Sequence, residues 1–421
     1  MGTVGHRGRR VRWDLGLGRE VGLAFWAMSF LEAAFGSYMG IWPLWIERLG
    51  APVAIVGLVL GASGVLRLIV LIPSAALAER FGIKRLVIAA RVATLVGLFG
   101  AALATHWTHL AVMVIGSGLG ELAFPLVKAH VAHYAGSARI RAFTLVFTVG
   151  PSVALFVSPL VAGLLIELAD LRAAFLLAAA CTAVSVVFFW QMAPIRDPRL
   201  GRTMEPTGYR SAFADLTVRR LLVLQGATIF SLALGTSLVP TFLEDVRGLS
   251  PAAIASLGAL AAIGSTLFGL AVVRLGRLQR APFAGAAIAV ALTAVGFATF
   301  MSTEWIVLVG FAFVCRGGLF SAWALFTAAI ADSATETNRA RSFSLSEIIG
   351  GLGISLAPMA AGPLFALNAY LPLSLALSFA LLLVPTLVLM QRIAGRHATA
   401  APVAPGTDAE IGPVATDAPA A

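Results

Sequence analysis

Charge is scarce in this sequence. Of its 421 residues 12% are Asp, Glu, Lys or Arg, about half the share of a soluble domain. Cysteine is nearly absent: Cys181 and Cys315 stand alone in separate apolar stretches. They form no disulfide framework and no metal-ligand spacing, and read as small buried hydrophobes. No phosphate-cradling Gly-rich loop ending in Lys-Ser/Thr is found, so ATP-driven pumping by this chain is unsupported. There is also no His/Cys metal cluster and no nucleophile-base set, so neither a metal, a cofactor nor enzymatic activity is expected. What fills the chain is apolar: 59% hydrophobic residues and a mean hydropathy of +0.93. That excludes a water-soluble globule, a disordered chain, collagen and a small disulfide scaffold. At about 22 residues per crossing, there is room for roughly twelve membrane-spanning helices.

The apolar stretches place twelve spans near 20–47, 52–78, 86–105, 109–134, 142–168, 172–192, 219–243, 251–273, 281–302, 305–331, 342–367 and 370–392. The formal net charge of +10 would point to nucleic acid in a soluble chain. Distributed over alternating loops it means something else. With the N-terminus inside, 23 of the 30 basic residues fall in inside segments and 3 (Arg48, Arg172, Arg247) in outside loops. This asymmetry predicts a multi-pass protein of the cell (inner or plasma) membrane with both termini cytoplasmic. The Arg7–Arg12 run followed by an apolar segment resembles a secretory or twin-arginine signal. The segment is too long, contains Glu32 and lacks a small-residue cleavage site, so an uncleaved first span is expected.

The two halves repeat each other. Arg139-Ile140-Arg141-Ala142-Phe143-Thr144-Leu145 returns as Arg339-Ala340-Arg341-Ser342-Phe343-Ser344-Leu345, and Pro159-Leu160-Val161-Ala162-Gly163 as Pro358-Met359-Ala360-Ala361-Gly362. Gly118-Leu119 matches Gly318-Leu319, Pro43 and Glu47 match Pro240 and Glu244, and Gly82 matches Gly276. Order is kept through six spans, so a six-plus-six parallel duplication is expected. The domains are then a tail at 1–19, a six-helix bundle at 20–192, a cytoplasmic linker at 193–218, a second bundle at 219–392, and a disordered tail at 393–421.

At this point the residues resemble the major facilitator superfamily of secondary transporters. Its signature loop between helices 2 and 3, of the form G-x-L-A-D-R-x-G-R-K, is met here by Ala75-Ala76-Leu77-Ala78-Glu79-Arg80-Phe81-Gly82-Ile83-Lys84-Arg85. The first Gly is Ala, the acid is Glu, and the basic pair is shifted by one. The second half keeps a degraded copy, Val273-Arg274-Leu275-Gly276-Arg277, without the acid. The resemblance implies an all-α fold of two pseudo-symmetric six-helix bundles. It also implies that Glu79, Arg80, Gly82, Lys84 and Arg85 take part in gating. Arg139, Arg141, Arg339, Arg341, Glu347, Pro159 and Pro358 are further candidates for gating or conformational change. The segment Ser158–Gly163 resembles a degraded G-P-x-x-G-G element of proton-coupled drug antiporters. Its presence in both halves favours a hinge or close-packing role.

Ionisable side chains inside a membrane cost about 2.5–3.5 kcal/mol each at a helix centre, so those present need partners or a wet cavity. Glu32, Arg67, Glu121 and Arg316 fall near the midplane. Arg91 and Glu347 lie only about 9 Å above the basic clusters at Arg85 and Arg341, where a side chain could snorkel. The resemblance implies a central cavity lined by helices 1, 4, 7 and 10, which carry Glu32, Glu121, Lys128 and Arg316. With Arg67 these are the candidate substrate and proton-coupling residues. Glu121 and Lys128, seven apart, are expected to share a helix face. Glu32 reads equally as a proton-coupling carboxylate or as a static partner of Arg67 or Arg316. Gln225, Ser231, Thr236 and Ser237 in helix 7, with Trp26, Tyr38, Trp42 and Trp323, could supply polar and aromatic cavity contacts.

The expected function is alternating-access transport of a small organic molecule, as a monomer in the lipid bilayer with protons as the coupling ion. Efflux is favoured by Glu32 and the Pro159 segment. Uptake of an organic anion guided by Arg316, Lys128 and Arg67 is the rival. A membrane-embedded enzyme would need a reactive cluster, and a sensor would bring a soluble output domain; the sequence offers neither. No nucleic-acid partner is expected.

Overall fold

The structure, a computed structural model, describes residues 13–71, 73–194, 213–279, 281–335 and 338–400. The basic run before residue 13 and most of the expected linker lie outside these residues. Twelve long helical segments follow one another. They are α1 (Arg19–Met39), α2 (Val53–Leu71), α3 (Ile83–Leu103), α4 (Trp107–Tyr134), α5 (Arg139–Leu168), α6 (Leu171–Gln191), α7 (Leu216–Asp245), α8 (Pro251–Arg274), α9 (Pro282–Ser302), α10 (Ile306–Ser333), α11 (Arg339–Leu367) and α12 (Leu371–Ala400). All but α1 meet length and apolarity criteria for crossing a membrane. α1 carries the membrane-embedded Glu32 together with Arg19 and Glu20 at its start. α12 continues through Ala400, past the end expected at 392.

Local chemistry sets the helix ends. Asp215 accepts from the backbone amides of Thr217 and Val218 at 2.8 and 3.3 Å and starts α7. Ser250 accepts from Ala253 at 3.3 Å ahead of Pro251 and starts α8. The repeat also governs the irregularities. After α1 the chain breaks at Gly40-Ile41 and resumes as Trp42–Arg48. α7 breaks at Leu238 and resumes as Val239–Asp245. Pro43 and Pro240, the second residues of these short pieces, cannot donate to the preceding turn. Gly50 and Gly248 then close the matching turns with φ of 87° and 67°. The repeated helices α4 and α10 break as well, at Glu121-Leu122 and at Gly317.

Within each half the packing is alike. α1 lies against α5 and α6, as α7 lies against α11 and α12; α3 packs on α4 and α6, as α9 packs on α10 and α12. Between the halves, α2 packs along α11 and α5 along α8, and small residues make this seam. A side chain at Gly57 would collide with the Pro358 carbonyl, and one at Gly61 with the Ser355 carbonyl. A Cβ at Gly362 would come within 2.7 Å of the Ala54 carbonyl, and one at Gly163 within 2.7 Å of the Ala252 carbonyl. The repeated Pro-x-x-small-Gly segments therefore occupy equivalent places, each letting its helix touch the opposite half backbone to backbone.

Polar side chains join the halves at the end with the Gly50 and Gly248 turns. There Arg48 forms an ion pair with Glu244, and Thr241 donates to Glu47 at 3.1 Å. Glu47 and Glu244 are the repeat-related acids, so the two halves hold each other reciprocally. At the basic end the final turns of α4 and α10 and the starts of α5 and α11 pack chiefly within their own halves. Phe320, Phe343, Lys128 and Glu347 are exposed there. The arrangement is a V closed at the end with the Gly50 and Gly248 turns.

Candidate functional site

The charged interior lies in the first half. Arg67, on α2, places Nη1 3.3 Å from Oε2 of Glu121, at the break of α4. Both side chains keep about a third of their surface accessible, 35% and 28%, so this is a pair in a wet space. Glu32, on α1, is half-buried. It makes no hydrogen bond or ion pair among the described residues, and lies within electrostatic range of Glu121 and Arg91. Neither partner expected for a static pair reaches it: Arg67 is taken by Glu121, and Arg316 forms no ion pair among the described residues.

Arg91 departs from the expectation of a shallow, snorkelling side chain. It is 5% exposed, and its guanidinium lies against the α4 backbone, with Nη1 3.3 Å from where a Gly120 Cβ would stand. It interacts electrostatically with Tyr38, Glu121 and Glu32. Depth alone does not decide snorkelling; the helix face does. Arg91 belongs to the buried stripe Ala90, Arg91, Thr94, Gly97, Leu98 and Ala101 that packs α3 on α4 and α6. Thr94 reinforces the contact by donating to the Gly116 carbonyl at 3.0 Å. That stripe is a 3.6-residue periodicity readable in the sequence. Nε of Arg91 and Nε of Arg67 are both buried without a hydrogen-bond partner among the described residues. The cluster thus retains donor capacity.

In the second half the interior is neutral except for one cation. Arg316 is half-buried at the break of α10, with its guanidinium 5.7 Å from the Phe313 ring centre. Elsewhere in this half neutral polar groups join the helices. Ser346 of α11 donates to Gln225 of α7 at 2.9 Å, and Thr327 of α10 lies 2.9 Å from Ser346. All three are buried. Gln225 is therefore a tie between helices. Thr236 and Ser237 bond back to their own helix, at 3.0 and 2.5 Å, and Ser231 reaches the Ala376 carbonyl at 3.5 Å. The hydroxyls of Ser231, Thr236 and Ser237 are thus used within the second half.

Lys128 is exposed and lies beyond the α4 break, without an ion pair among the described residues. The face it was expected to share with Glu121 is interrupted by that break. Glu347 is also exposed, whereas its neighbour Ser346 is buried. Tyr38 and Trp42 pack with Phe175, ring centres 5.7 and 5.6 Å apart. Trp26 donates to the Trp13 carbonyl at 3.0 Å, and Trp323 packs on Gly350.

The loop residues hold the basic end. Gly82 has φ 83° and joins α2 to α3, a conformation that favours glycine. The Glu79 side chain lies outside the described residues. Arg80 stacks over Phe81 at 5.2 Å. Arg139 donates to the Ala132 carbonyl at 3.2 Å and Arg141 to the Leu15 carbonyl at 3.1 Å, tying α5 to the start of the chain. Arg341 donates to Asn338 at 3.3 Å, and Arg339 is exposed. Pro159 and Pro358 lie on the seam. His130, in the last part of α4, is 3% exposed, with Nε2 3.5 Å from Glu20.

The family model of the Major Facilitator Superfamily matches residues 24–358. No curated protein matches in sequence. Solved structures share the fold at low identity. The nucleoside transporter NupG superposes with a TM-score of 0.72 at 17% identity, covering 88% of this chain and 98% of its own. The peptide transporter POT in complex with sulfate gives 0.68 at 17% identity, covering 90% and 95%. The human organic anion transporter MFSD10 gives 0.59 at 15% identity, covering 88% and 99%.

Proposed function

Because the chain belongs to the major facilitator superfamily, and is a transporter rather than an enzyme, we propose that it moves a small organic molecule across the membrane by alternating access, coupled to inward proton movement. The observation that carries the coupling is Glu32, a half-buried carboxylate on α1 with no direct partner, next to the Arg67–Glu121 pair and the buried Arg91. A carboxylate so placed has two stable states. It is charged when Arg91 or a cationic substrate is near, and neutral when either withdraws. Arg67 and Glu121 sit on different helices, so their pairing changes whenever α2 and α4 shift. The seam of small residues lets the halves rock over the backbone contacts of α2 on α11 and of α5 on α8. The outer contacts, Arg48–Glu244 and Glu47–Thr241, must part for the V to reverse.

Efflux of an amphiphilic or cationic substrate is the preferred direction, since a proton taken up at Glu32 can drive the return step of an exporter without Glu32 itself holding the substrate. Arg316 favours the second reading, uptake of an organic anion: it is a cation at the midplane with an aromatic neighbour and no carboxylate. Proteoliposomes under an imposed pH gradient separate the two. Organic cations and anions are screened for saturable flux in wild type, Glu32→Gln and Arg316→Ala. Cation flux driven by the gradient and lost in Glu32→Gln supports efflux. Anion counterflow lost in Arg316→Ala and kept in Glu32→Gln overturns it.

A further inference from the structure

A groove of about 700 Å³ lies at the basic end, on the outer surface of the first half, away from the seam between halves. α3 and α6 form its walls, and the turn at Gly82 forms its rim. Two kinds of chemistry meet in it. At the rim are Lys84, half-buried, and Arg85, exposed. Neither has a hydrogen bond or ion pair among the described residues. Deeper along the helices the lining turns apolar through Ile88, Ala89 and Val92, facing Trp190, which is 67% exposed.

This polarity matches one lipid leaflet. Val92 lies two turns into the membrane from Lys84, so a molecule filling the groove would place apolar chains against Val92 and Ile88 and an anionic head on the cations. An exposed tryptophan near the end of an apolar span belongs at the headgroup level. Unpartnered cations beside it attract anionic lipid by about 1 kcal/mol each. The matching loop of the second half keeps Arg274 and Arg277. We propose that the α3–α6 groove is a binding site for an anionic phospholipid, with Lys84 and Arg85 holding the phosphate and Trp190 covering the glycerol region.

The test uses the full chain in lipid nanodiscs with brominated phosphatidylglycerol or brominated phosphatidylcholine as quencher. The Trp190 signal is isolated by difference from Trp190→Phe. The expected result is quenching of Trp190 at a mole fraction of phosphatidylglycerol below that of phosphatidylcholine, by about five-fold for each cation. Lys84→Gln with Arg85→Gln should remove this preference, and Arg274→Gln with Arg277→Gln should leave it intact. If the double variant does not insert, Arg85→Gln alone, at an exposed position, should remove about five-fold. Equal quenching by the two lipids, or a preference unchanged in the Lys84 and Arg85 variants, overturns the site. So does a preference abolished by millimolar inorganic phosphate, which would make the ligand a free anion.

Discussion

The two halves share a repeat and a packing scheme but differ in what their interiors hold. The first has Glu32, Arg67, Arg91 and Glu121 on four helices, with one direct ion pair and buried guanidinium donors left over. In the second, Ser346 links Gln225 and Thr327, and the described interior holds a single cation, Arg316. A neutral network of this kind ties helices together without carrying a net charge. A charged cluster short of partners changes arrangement whenever a proton or ion arrives. On the proposed mechanism the difference puts the coupling charge in the first half and leaves the second as its uncharged counterpart.

Several substitutions would break or sharpen this contrast. The largest effect is expected from Arg91→Leu, which removes the buried cation between the two acids. Coupled transport should fall by about 100-fold or more, measured as gradient-driven flux at equal protein density. Next comes Arg67→Ala. It leaves Glu121 without its partner and should cost about 1–2 kcal/mol, discounted because the pair is partly accessible. Thermal unfolding in detergent should show Arg67→Ala with Glu121→Ala more stable than Arg67→Ala alone, and flux should stay low in both. In the second half, Gln225→Ala should lower stability by about 1–3 kcal/mol while keeping the dependence of flux on the pH gradient. The smallest effect belongs to Lys128→Gln. Exposed and beyond the α4 break, it should change flux by less than about two-fold. A large loss there would shift the site toward the basic end.

Much of the fold was legible because bilayer physics leaves few options. Apolar runs gave the spans. The repeat paired Pro43 with Pro240 and Pro159 with Pro358; the first pair lies at equivalent breaks and the second at equivalent seam contacts. Repeat matching also flagged Glu47 and Glu244, although nothing in one dimension says that they meet partners from the opposite half. Arg91 was misplaced by counting rise along the axis, which gives depth but not direction. Its stripe with Thr94 and Gly97 carried the missing information. The polar residues of α7 were read as cavity-facing from helix identity; their burial depends on α10 and α11, which local sequence does not reveal. The Arg67–Glu121 pair, between residues 54 positions apart, needed the fold.

The central claim is that Glu32 couples transport without being needed for substrate passage. The most direct measurement compares, in one proteoliposome preparation, substrate counterflow without a pH gradient and uphill accumulation driven by a gradient, for wild type and Glu32→Gln. The account predicts that Glu32→Gln retains counterflow and loses uphill accumulation. Uphill accumulation at the wild-type level in Glu32→Gln would contradict it.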